Sequence, residues 1–518
     1  MTAAVRRRRL AALGASALGV LLALTGCAPQ PPDPIRAIME QPQYAGGRWG
    51  LSVVDLGTGE TLLALNADER FRTGSTAKIL SVTAALSELG ADHRFVTPVI
   101  AVGSVADGTL HGDLVLRGSG DLTLGGRTKA DGTIDVPAFD HYDANALPGV
   151  ATLTPEDPLA DLDRLAAQVA AAGIGRVDGD VLVDDRLWDP VTLDGVPISP
   201  IVVNDNLLDF VVTPGAAVGE PATFDWRPRT AAYRPVLDVT TGPADSPIDL
   251  TIDDDGSGGL RLHGSVPLGA APVVHTYQVP DPARWARTLF VEALGRAGVA
   301  VDADPFAPNP AGRLPAAAEL DAATPIATLT SPPFSETARL INKVSHNLGA
   351  NQLPLILAAQ QGRRTLDDGL AIEREALAAG GLGADEVTIT DGQGLPGNTI
   401  TPAGMTAYLR YLTTTPTFET FYDSTPILGV DGSLASVLPA GDPAIGHAHA
   451  KTGTLVTGGT TTAYLLQTKA LAGYLDAASG RRLAFAIFVN DVPIDDVQFV
   501  FQANEDIGAI ASQLYRSY

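Results

Sequence analysis

Lysine and cysteine are scarce in this chain of 518 residues, which carries five Lys against 30 Arg and a single Cys. One cysteine excludes a disulfide within the chain, so the packing of apolar cores must hold the fold together. Basic residues are outnumbered by acidic ones, 35 to 59, and the formal net charge is −24. Because nucleic-acid binding requires a basic face, this balance argues against nucleic acid as a partner.

The N-terminus lacks an apolar run long enough for a membrane span, since the run from Leu10 to Leu24 is short and rich in Gly and Ala. Four arginines precede it, which is typical of an export signal. The run ends in "LTGC" at Cys27, which resembles the lipobox of bacterial lipoproteins. We therefore predict a signal peptide over residues 1–26, lipidation of Cys27 and a Pro-rich tether over residues 27–40. The protein is then exported, extracytoplasmic and lipid-anchored to the outer face of the plasma membrane.

The length of the chain predicts several domains, because single cores stop growing near about 250–300 residues. The turn "DLGTGE" between alternating apolar segments predicts a hairpin near the start. A helix is predicted from Ser75 to about Leu89, with Gly90 as its end. Between about residues 96 and 280, short β-type segments alternate with Gly, Pro and Asp, which indicates inserted, mostly β material. Helices then return, and the chain ends in a strand and a helix.

Ser75 and Lys78 form an S-x-x-K motif at the start of the predicted helix. Residues i and i+3 share one helix face, so the Lys amine can reach the Ser hydroxyl. A neutral amine would act as its base, and Lys suits this role because its pKa falls on burial or beside another cation, whereas Arg stays charged. Taken alone, the motif also fits a helix cap followed by a surface Lys.

Two further motifs follow in the chain. Ser345–Asn347 reads S-x-N inside a helical pattern, and Lys451–Thr454 reads K-T-G-T on a predicted edge strand. The order S-x-x-K, S-x-N, K-T-G is the signature set of penicillin-binding proteins and active-site Ser β-lactamases. Three motifs in this order predict a serine acyl-transfer site.

Four longer segments indicate which family of penicillin-binding proteins the chain resembles. "HGDLVLRGSGDLTL" (111–124), "VVNDNLLDFVVTPG" (202–215), "DGQGLP" (391–396) and "AKTGTL" (450–455) resemble the D-alanyl-D-alanine carboxypeptidase/endopeptidase family of low-molecular-mass class C penicillin-binding proteins. The resemblance implies an α+β fold of the penicillin-binding-protein/β-lactamase-like transpeptidase type, an antiparallel sheet flanked by helices with two nested, mostly β inserted domains.

The resemblance also implies domain bounds. The catalytic domain would comprise residues 41–95 and 281–518. Inserted domain II would comprise residues 96–121 and 214–280, and inserted domain III residues 122–213.

The family roles transfer to matching residues. Ser75 would be the nucleophile that attacks the carbonyl of the penultimate D-Ala, and Lys78 its base. Ser345 would relay a proton to the leaving group, and Asn347 would position the substrate amide. Lys451 would supply a second cation that lowers the pKa of its neighbour and attracts a carboxylate.

The K-T-G-T segment would bind the end of the substrate. The resemblance implies that Thr452 and Thr454 hydrogen-bond the terminal carboxylate and that the backbone N–H groups of Ser75 and Thr454 form the oxyanion hole. Gly453 would allow the substrate to approach the backbone closely.

The sequence departs from the family pattern at several positions. His346 stands where Asp or Asn is common, and its side chain need not face the cleft. Gln393 replaces a Ser, Asn351 replaces an acid, and the segment after "KTGTL" is longer than usual, which predicts an extended hairpin at the edge strand.

Metal and cofactor sites are not expected. His447, His449 and Lys451 would share one face of a strand, but no third metal ligand has suitable spacing. We therefore predict neither a metal nor a cofactor.

These features predict a serine-type D-Ala-D-Ala carboxypeptidase acting on peptidoglycan stem peptides that end in D-Ala-D-Ala, with endopeptidase action left open. An acyl-enzyme on Ser75 would also make β-lactams covalent inhibitors. A β-lactamase is one alternative, although the E-x-x-L-N element of class A enzymes is absent between Ser75 and Ser345. A non-catalytic cell-wall-binding lipoprotein is another.

Overall fold

The computed structural model of the chain describes residues 30–458 and 464–518. The predicted signal peptide, Cys27 and the start of the tether lie outside these residues, as does the end of the predicted extended hairpin. In the part of the chain that is described, none of the helices has the length and hydropathy needed to cross a bilayer.

The described residues form eleven α-helices: α1 (Asp33–Met39), α2 (Ala77–Leu89), α3 (Ala160–Ala171), α4 (Pro282–Arg296), α5 (Ala317–Ala322), α6 (Phe334–Lys343), α7 (Asn347–Gln360), α8 (Leu366–Ala379), α9 (Pro402–Leu412), α10 (Phe418–Ser424) and α11 (Phe499–Ser517). They also form 22 strands: β1 (Arg48–Asp55), β2 (Thr61–Leu65), β3 (Phe71–Arg72), β4 (Val96–Ala106), β5 (Thr109–Arg117), β6 (Arg176–Val177), β7 (Val181–Asp184), β8 (Thr192–Leu193), β9 (Val196–Pro197), β10 (Leu207–Thr213), β11 (Thr223–Arg227), β12 (Arg234–Gly242), β13 (Asp249–Asp254), β14 (Gly259–Pro267), β15 (Val273–Gln278), β16 (Ala300–Val301), β17 (Ala327–Thr330), β18 (Val387–Thr388), β19 (Thr399–Ile400), β20 (Ala448–Thr457), β21 (Tyr464–Asp476) and β22 (Arg482–Ile494).

The first and last parts of the chain build one main domain around a five-stranded antiparallel sheet in the order β2-β1-β22-β21-β20. Side chains of β22 alternate between two cores, because successive strand residues point to opposite faces. Phe485 and Ile487 pack with helices α1 and α11, whereas Phe488 packs with α2 and α9 on the other face. Both faces of the sheet are therefore covered, and β20 is an edge strand, as predicted.

Residues 96–330 leave the main domain and form an insert with a core of its own. Its largest sheet has the order β16-β6-β5-β4-β17, and β7 also pairs with β5. Helices α3 and α4 cover this sheet, and the insert also contains two three-stranded sheets, β11-β10-β15 and β12-β14-β13, and the two-stranded sheet β8-β9. Insert side chains including Trp188 and Val202 bury against the main core, so the two parts share an interface.

The division of the insert differs from the bounds implied by the resemblance. Helix α4 and strand β17 pack in the core of the insert, so we place the return to the main domain after Thr330 instead of at residue 281. Strands β6 and β7, expected in one inserted domain, pair with β5, expected in the other. The sequence shows that α4 is amphipathic, but it does not show which core the apolar face covers.

Helix α2 crosses the middle of the main domain. A short 3-10 turn over Gly74–Thr76 leads into it, and it ends at Gly90, whose φ of 83° is the left-handed conformation that glycine tolerates. These bounds match the helix predicted from Ser75. All its residues from Ala77 to Leu86 are buried, which fixes the position of its first turn firmly.

Candidate active site

The three motifs meet in one cleft between the start of α2, the turn between α6 and α7, and the edge strand β20. Lys78 Nζ lies 2.8 Å from Ser75 Oγ. Across the cleft, Lys451 Nζ donates to Ser345 Oγ at 2.9 Å. Residues that are hundreds of positions apart in the chain therefore form two serine-lysine pairs in one place.

Two glycines allow the turn that carries Ser75 to contact strand β20. A Cβ on Gly453 would lie 2.4 Å from Thr73 O, and a Cβ on Gly74 would lie 2.9 Å from Thr454 N. Real side chains do not tolerate such distances, so both positions require glycine. The close contact brings the backbone N–H of Thr454 next to the turn of Ser75.

The S-x-N motif lies in a break between two helices, not inside one helix as the pattern predicted. Helix α6 ends at Lys343, α7 begins at Asn347, and Ser345 between them has a φ of 64°. His346 caps α7, since its Nδ1 accepts a hydrogen bond from Gly349 N at 3.1 Å. This left-handed turn presents Ser345 to Lys451 and Asn347 to Lys78.

The surroundings of Lys78 favour a neutral amine. Burial lowers the pKa of Lys78 to about 7, although the charges of Asp143 and Asp391 act in the opposite direction. Besides Ser75 Oγ, the amine contacts Asn347 Oδ1 at 2.7 Å and Gln393 O at 3.2 Å. These two atoms only accept hydrogen bonds, so they take the two protons of a neutral amine. The nitrogen lone pair is then left for the Ser75 hydroxyl.

Two more buried lysines lie on the other side of the cleft. The pKa of Lys451 is well below its ordinary value because of burial and the positive charges of Lys78 and Lys469. Lys469 is only 3% exposed, and its Nζ donates to Thr454 Oγ1 at 2.8 Å. Sequence reasoning missed Lys469, although the scarcity of lysine was a signal that could have found it.

A fourth lysine holds a loop against the K-T-G strand. Lys343 Nζ donates to Asp431 Oδ2 at 2.6 Å, and two residues later Ser433 Oγ lies 2.8 Å from Thr452 Oγ1. Four of the five lysines in the sequence thus surround one cleft.

Two of the departures from the family pattern contact each other. Asn351 Nδ2 donates to Gln393 Oε1 at 2.9 Å, and Gln393 N donates to Asn351 Oδ1 at 3.1 Å. The backbone carbonyl of Gln393 in turn accepts from Lys78. An uncharged pair of amide side chains therefore supports the loop behind Lys78, where the family pattern has an acid at position 351 and a Ser at position 393.

The insert contributes Asp143, a second residue that sequence reasoning missed. Burial raises the pKa of the Asp143 carboxyl to about 6, whereas the positive charges of His346, Lys78 and Lys451 lower it. The charge of Asp143 acts in turn to raise the pKa of both Lys78 and Lys451.

His346 points away from the cleft, into a cluster of buried charges in the insert. Its Nε2 lies 3.2 Å from Asp205 Oδ2, and no part of the residue is exposed. The insert cluster consists of ion-paired side chains: Arg127, Asp140, His141, Asp205, Asp209 and Arg227.

The insert cluster contains the one group of residues in the described ranges with the spacing of metal ligands, Asp140, His141 and Asp205. The Arg127 guanidinium donates to both carboxylates, so a cation already fills the space between them.

His449, one of the residues weighed above as a metal ligand, lies on strand β20. Its ring stacks on the ring of Tyr422, and the ring centres are 3.8 Å apart.

An antiparallel sheet covered by helices on both faces, with S-x-x-K, S-x-N and K-T-G in one cleft, defines the penicillin-binding-protein class of folds. The sequence pattern of the D-Ala-D-Ala carboxypeptidase 3 (S13) family matches residues 33–506. The chain belongs to this family.

Relatives and solved structures agree with this assignment. The chain is 32% identical over 484 residues to the D-alanyl-D-alanine carboxypeptidase of Actinomadura sp. (strain R39), covering 88% of this chain and 80% of that protein. It is 21% identical over 478 residues to the D-alanyl-D-alanine carboxypeptidase DacB of Haemophilus influenzae, covering 88% and 87%. The crystal structure of penicillin binding protein 4 from H. influenzae superposes with a TM-score of 0.66 at 18% identity, covering 93% of this chain and 99% of that chain.

Proposed function

We propose that this protein is a serine-type D-Ala-D-Ala carboxypeptidase that cleaves peptidoglycan stem peptides through an acyl-enzyme on Ser75. The observation that carries the proposal is the position of the Lys78 amine, 2.8 Å from Ser75 Oγ with its other two contacts to carbonyl oxygens. Membership of the S13 family and the name of the Actinomadura relative support the substrate class.

Acylation begins with proton transfer from Ser75 to Lys78. The Ser75 Oγ then bonds to the carbonyl carbon of the penultimate D-Ala, and the oxygen of that carbonyl becomes negative. The backbone N–H groups of Ser75 and Thr454 stabilise this charge, because Gly74 and Gly453 let the two segments approach. The general base and the oxyanion hole act on the same carbonyl group.

Release of the terminal D-Ala requires a proton on its nitrogen. Ser345 is the donor in this proposal, since its hydroxyl is held by Lys451 at 2.9 Å. Ser345 gives its hydroxyl proton to the leaving nitrogen as the C–N bond breaks, and it takes up the proton that Lys78 had removed from Ser75, so that Lys78 is neutral again. Water then attacks the acyl-enzyme with Lys78 again as base, which frees the shortened peptide and restores Ser75.

The end of the substrate binds along β20. Thr452 and Thr454 offer hydroxyl groups for the terminal carboxylate, and Asn347 binds the substrate amide while its Oδ1 orients Lys78. The H. influenzae protein has also been solved in complex with a β-lactam, with a TM-score of 0.67 to this chain. We infer that β-lactams acylate Ser75 of this protein as the peptide substrate does.

A fluorescent penicillin tests the proposal. We expect stable labelling of the wild type and none of Ser75→Ala, with both proteins unfolding at similar temperatures. Turnover of the wild-type label within seconds would instead make the protein a β-lactamase, and its complete absence would indicate a non-catalytic wall-binding protein. Release of D-Ala from a peptide ending in D-Ala-D-Ala checks the substrate, and a cross-linked dimer of stem peptides checks endopeptidase action.

We also propose that the protein is exported and lipid-anchored through Cys27, on the sequence of the N-terminal segment. In cells that express a Cys27→Ala form, the protein should move from the membrane fraction to the soluble fraction. Equal amounts of both forms in the membrane fraction would contradict the anchor and leave the enzymatic proposal unaffected.

A further inference from the structure

Lys469 is a buried cation that the mechanism above does not use. It lies on β21 beside the K-T-G strand and is 3% exposed. Among the residues that the structure describes, no carboxylate oxygen lies within 4.0 Å of its amine, whereas Lys343 has Asp431 as partner. A buried cation with no counter-ion is costly, so its place beside a substrate-binding strand calls for a function.

The sheet register places Lys469 directly opposite Thr454. The two residues are paired across the antiparallel strands β20 and β21, and Lys469 Nζ donates to Thr454 Oγ1 at 2.8 Å. A charged amine can only donate, so the threonine oxygen is the acceptor in this bond. The single hydroxyl proton of Thr454 must then point elsewhere and is free for an acceptor in the cleft.

An incoming carboxylate suits this arrangement in two ways. It accepts the hydroxyl proton of Thr454, and it supplies the negative charge that Lys469 lacks. Burial lowers the pKa of Lys469 to about 7, and a nearby anion favours its charged form.

We propose that Lys469 is a positioning residue for recognition of the substrate's terminal carboxylate, acting through the Thr454 hydroxyl. The inference rests on the proposed function, because that function supplies the carboxylate. It predicts that substrates with a free C-terminal carboxylate depend on Lys469.

A double-mutant cycle on Lys469→Met and Thr454→Val tests the coupling. With a peptide ending in D-Ala-D-Ala, we expect each single variant to lower kcat/KM by about tenfold to a hundredfold, mainly through KM. The kcat/KM of the double variant should be no lower than that of the less active single variant, because either change alone already removes the Lys469–Thr454 hydrogen bond. Lys129→Met, in a turn of the insert, is the matched control and should keep wild-type kinetics.

Two further variants separate charge from packing. Lys469→Arg keeps the charge and should retain more activity than Lys469→Met. Lys469→Gln keeps a donor without the charge and should show a raised KM; it also carries the test if Lys469→Met does not fold, which thermal unfolding reports. Additive losses in the cycle, or a wild-type KM in the Met and Gln variants, would overturn the inference. An inactive wild type without penicillin label would instead overturn the proposed function.

Discussion

Two buried polar clusters in this protein lie close together and differ in how their charges are balanced. In the insert cluster three cations, Arg127, His141 and Arg227, pair with three carboxylates. In the cleft, Lys78, Lys451 and Lys469 have no carboxylate oxygen within 4.0 Å among the described residues. Both clusters are buried, but only in the insert cluster is each cation paired with a carboxylate.

The difference appears in the direction of the pKa shifts. Burial alone would lower the pKa of His141, but the charges of Asp209 and Asp140 raise it to about 10. Burial lowers the pKa of Lys78 to about 7. Pairing keeps a buried side chain such as His141 in its ionised form, and the ion pairs of the insert cluster join separate segments of the insert. Unpaired lysines lose protons readily, which is what proton transfer requires.

The largest effect is expected for Lys78→Met. Loss of the base should slow acylation by penicillin by about a hundredfold to ten-thousandfold. The fold should not be weakened, because a buried amine without a counter-ion is replaced by an apolar chain of similar length. Stopped-flow labelling and thermal unfolding measure the two quantities. A large fall in unfolding temperature would show that Lys78 has a structural role like that of the insert cluster.

The next effect concerns Asp205→Asn in the insert cluster. Asparagine lacks the negative charge that Arg127, His141 and His346 contact at Asp205 Oδ2, and we expect a loss of about 3–5 kcal/mol in the free energy of unfolding. Chemical denaturation measures the loss. Asp302→Asn, which breaks an exposed pair with Arg176, is the control and should unfold nearly like the wild type. Similar curves for the two variants would contradict the contrast between the clusters.

A change of pH is expected to have a smaller effect on the acylation rate. In the proposed mechanism the neutral form of Lys78 is the base, and burial lowers the pKa of this residue to about 7. The acylation rate should therefore rise about tenfold per unit below pH ~7 and level off above it. Labelling rates at subsaturating penicillin across about pH 5 to 9 give the profile. A rate that falls as pH rises through 7 would mean that the protonated amine is the active form.

The smallest effect is expected for Asn351→Asp. A carboxylate at this position would accept from Gln393 N and place a negative charge near Lys78, since Gln393 contacts both residues. An opposite charge favours the ammonium form, so the midpoint of the acylation profile should move up by about one unit. Asn351→Gln, which adds no charge, is the control. An unchanged midpoint in Asn351→Asp would show that the amide pair has no electrostatic role.

Much of the site could be predicted from the residues in the three motifs. Ser75 and Lys78 are three positions apart on one helical turn, so local geometry brings them together in any context. The edge position of Lys451–Thr454 was also predicted correctly. The left-handed turn at Ser345 was missed, because the apolar pattern continues across the break. The sequence pattern also leaves the division of the insert open, since α4 could cover either core.

By itself, the sequence determined that Ser75 and Lys78 lie together, because the two residues are three positions apart on one helical turn, and the order of its three motifs indicated a serine acyl-transfer site. Only the tertiary structure decided which lysines stay unpaired, that Asn351 meets Gln393, and that Lys469 faces Thr454. Those contacts depend on sheet register and on packing between distant segments. No spacing along the chain encodes them, because they follow from how the cores exclude water and counter-ions.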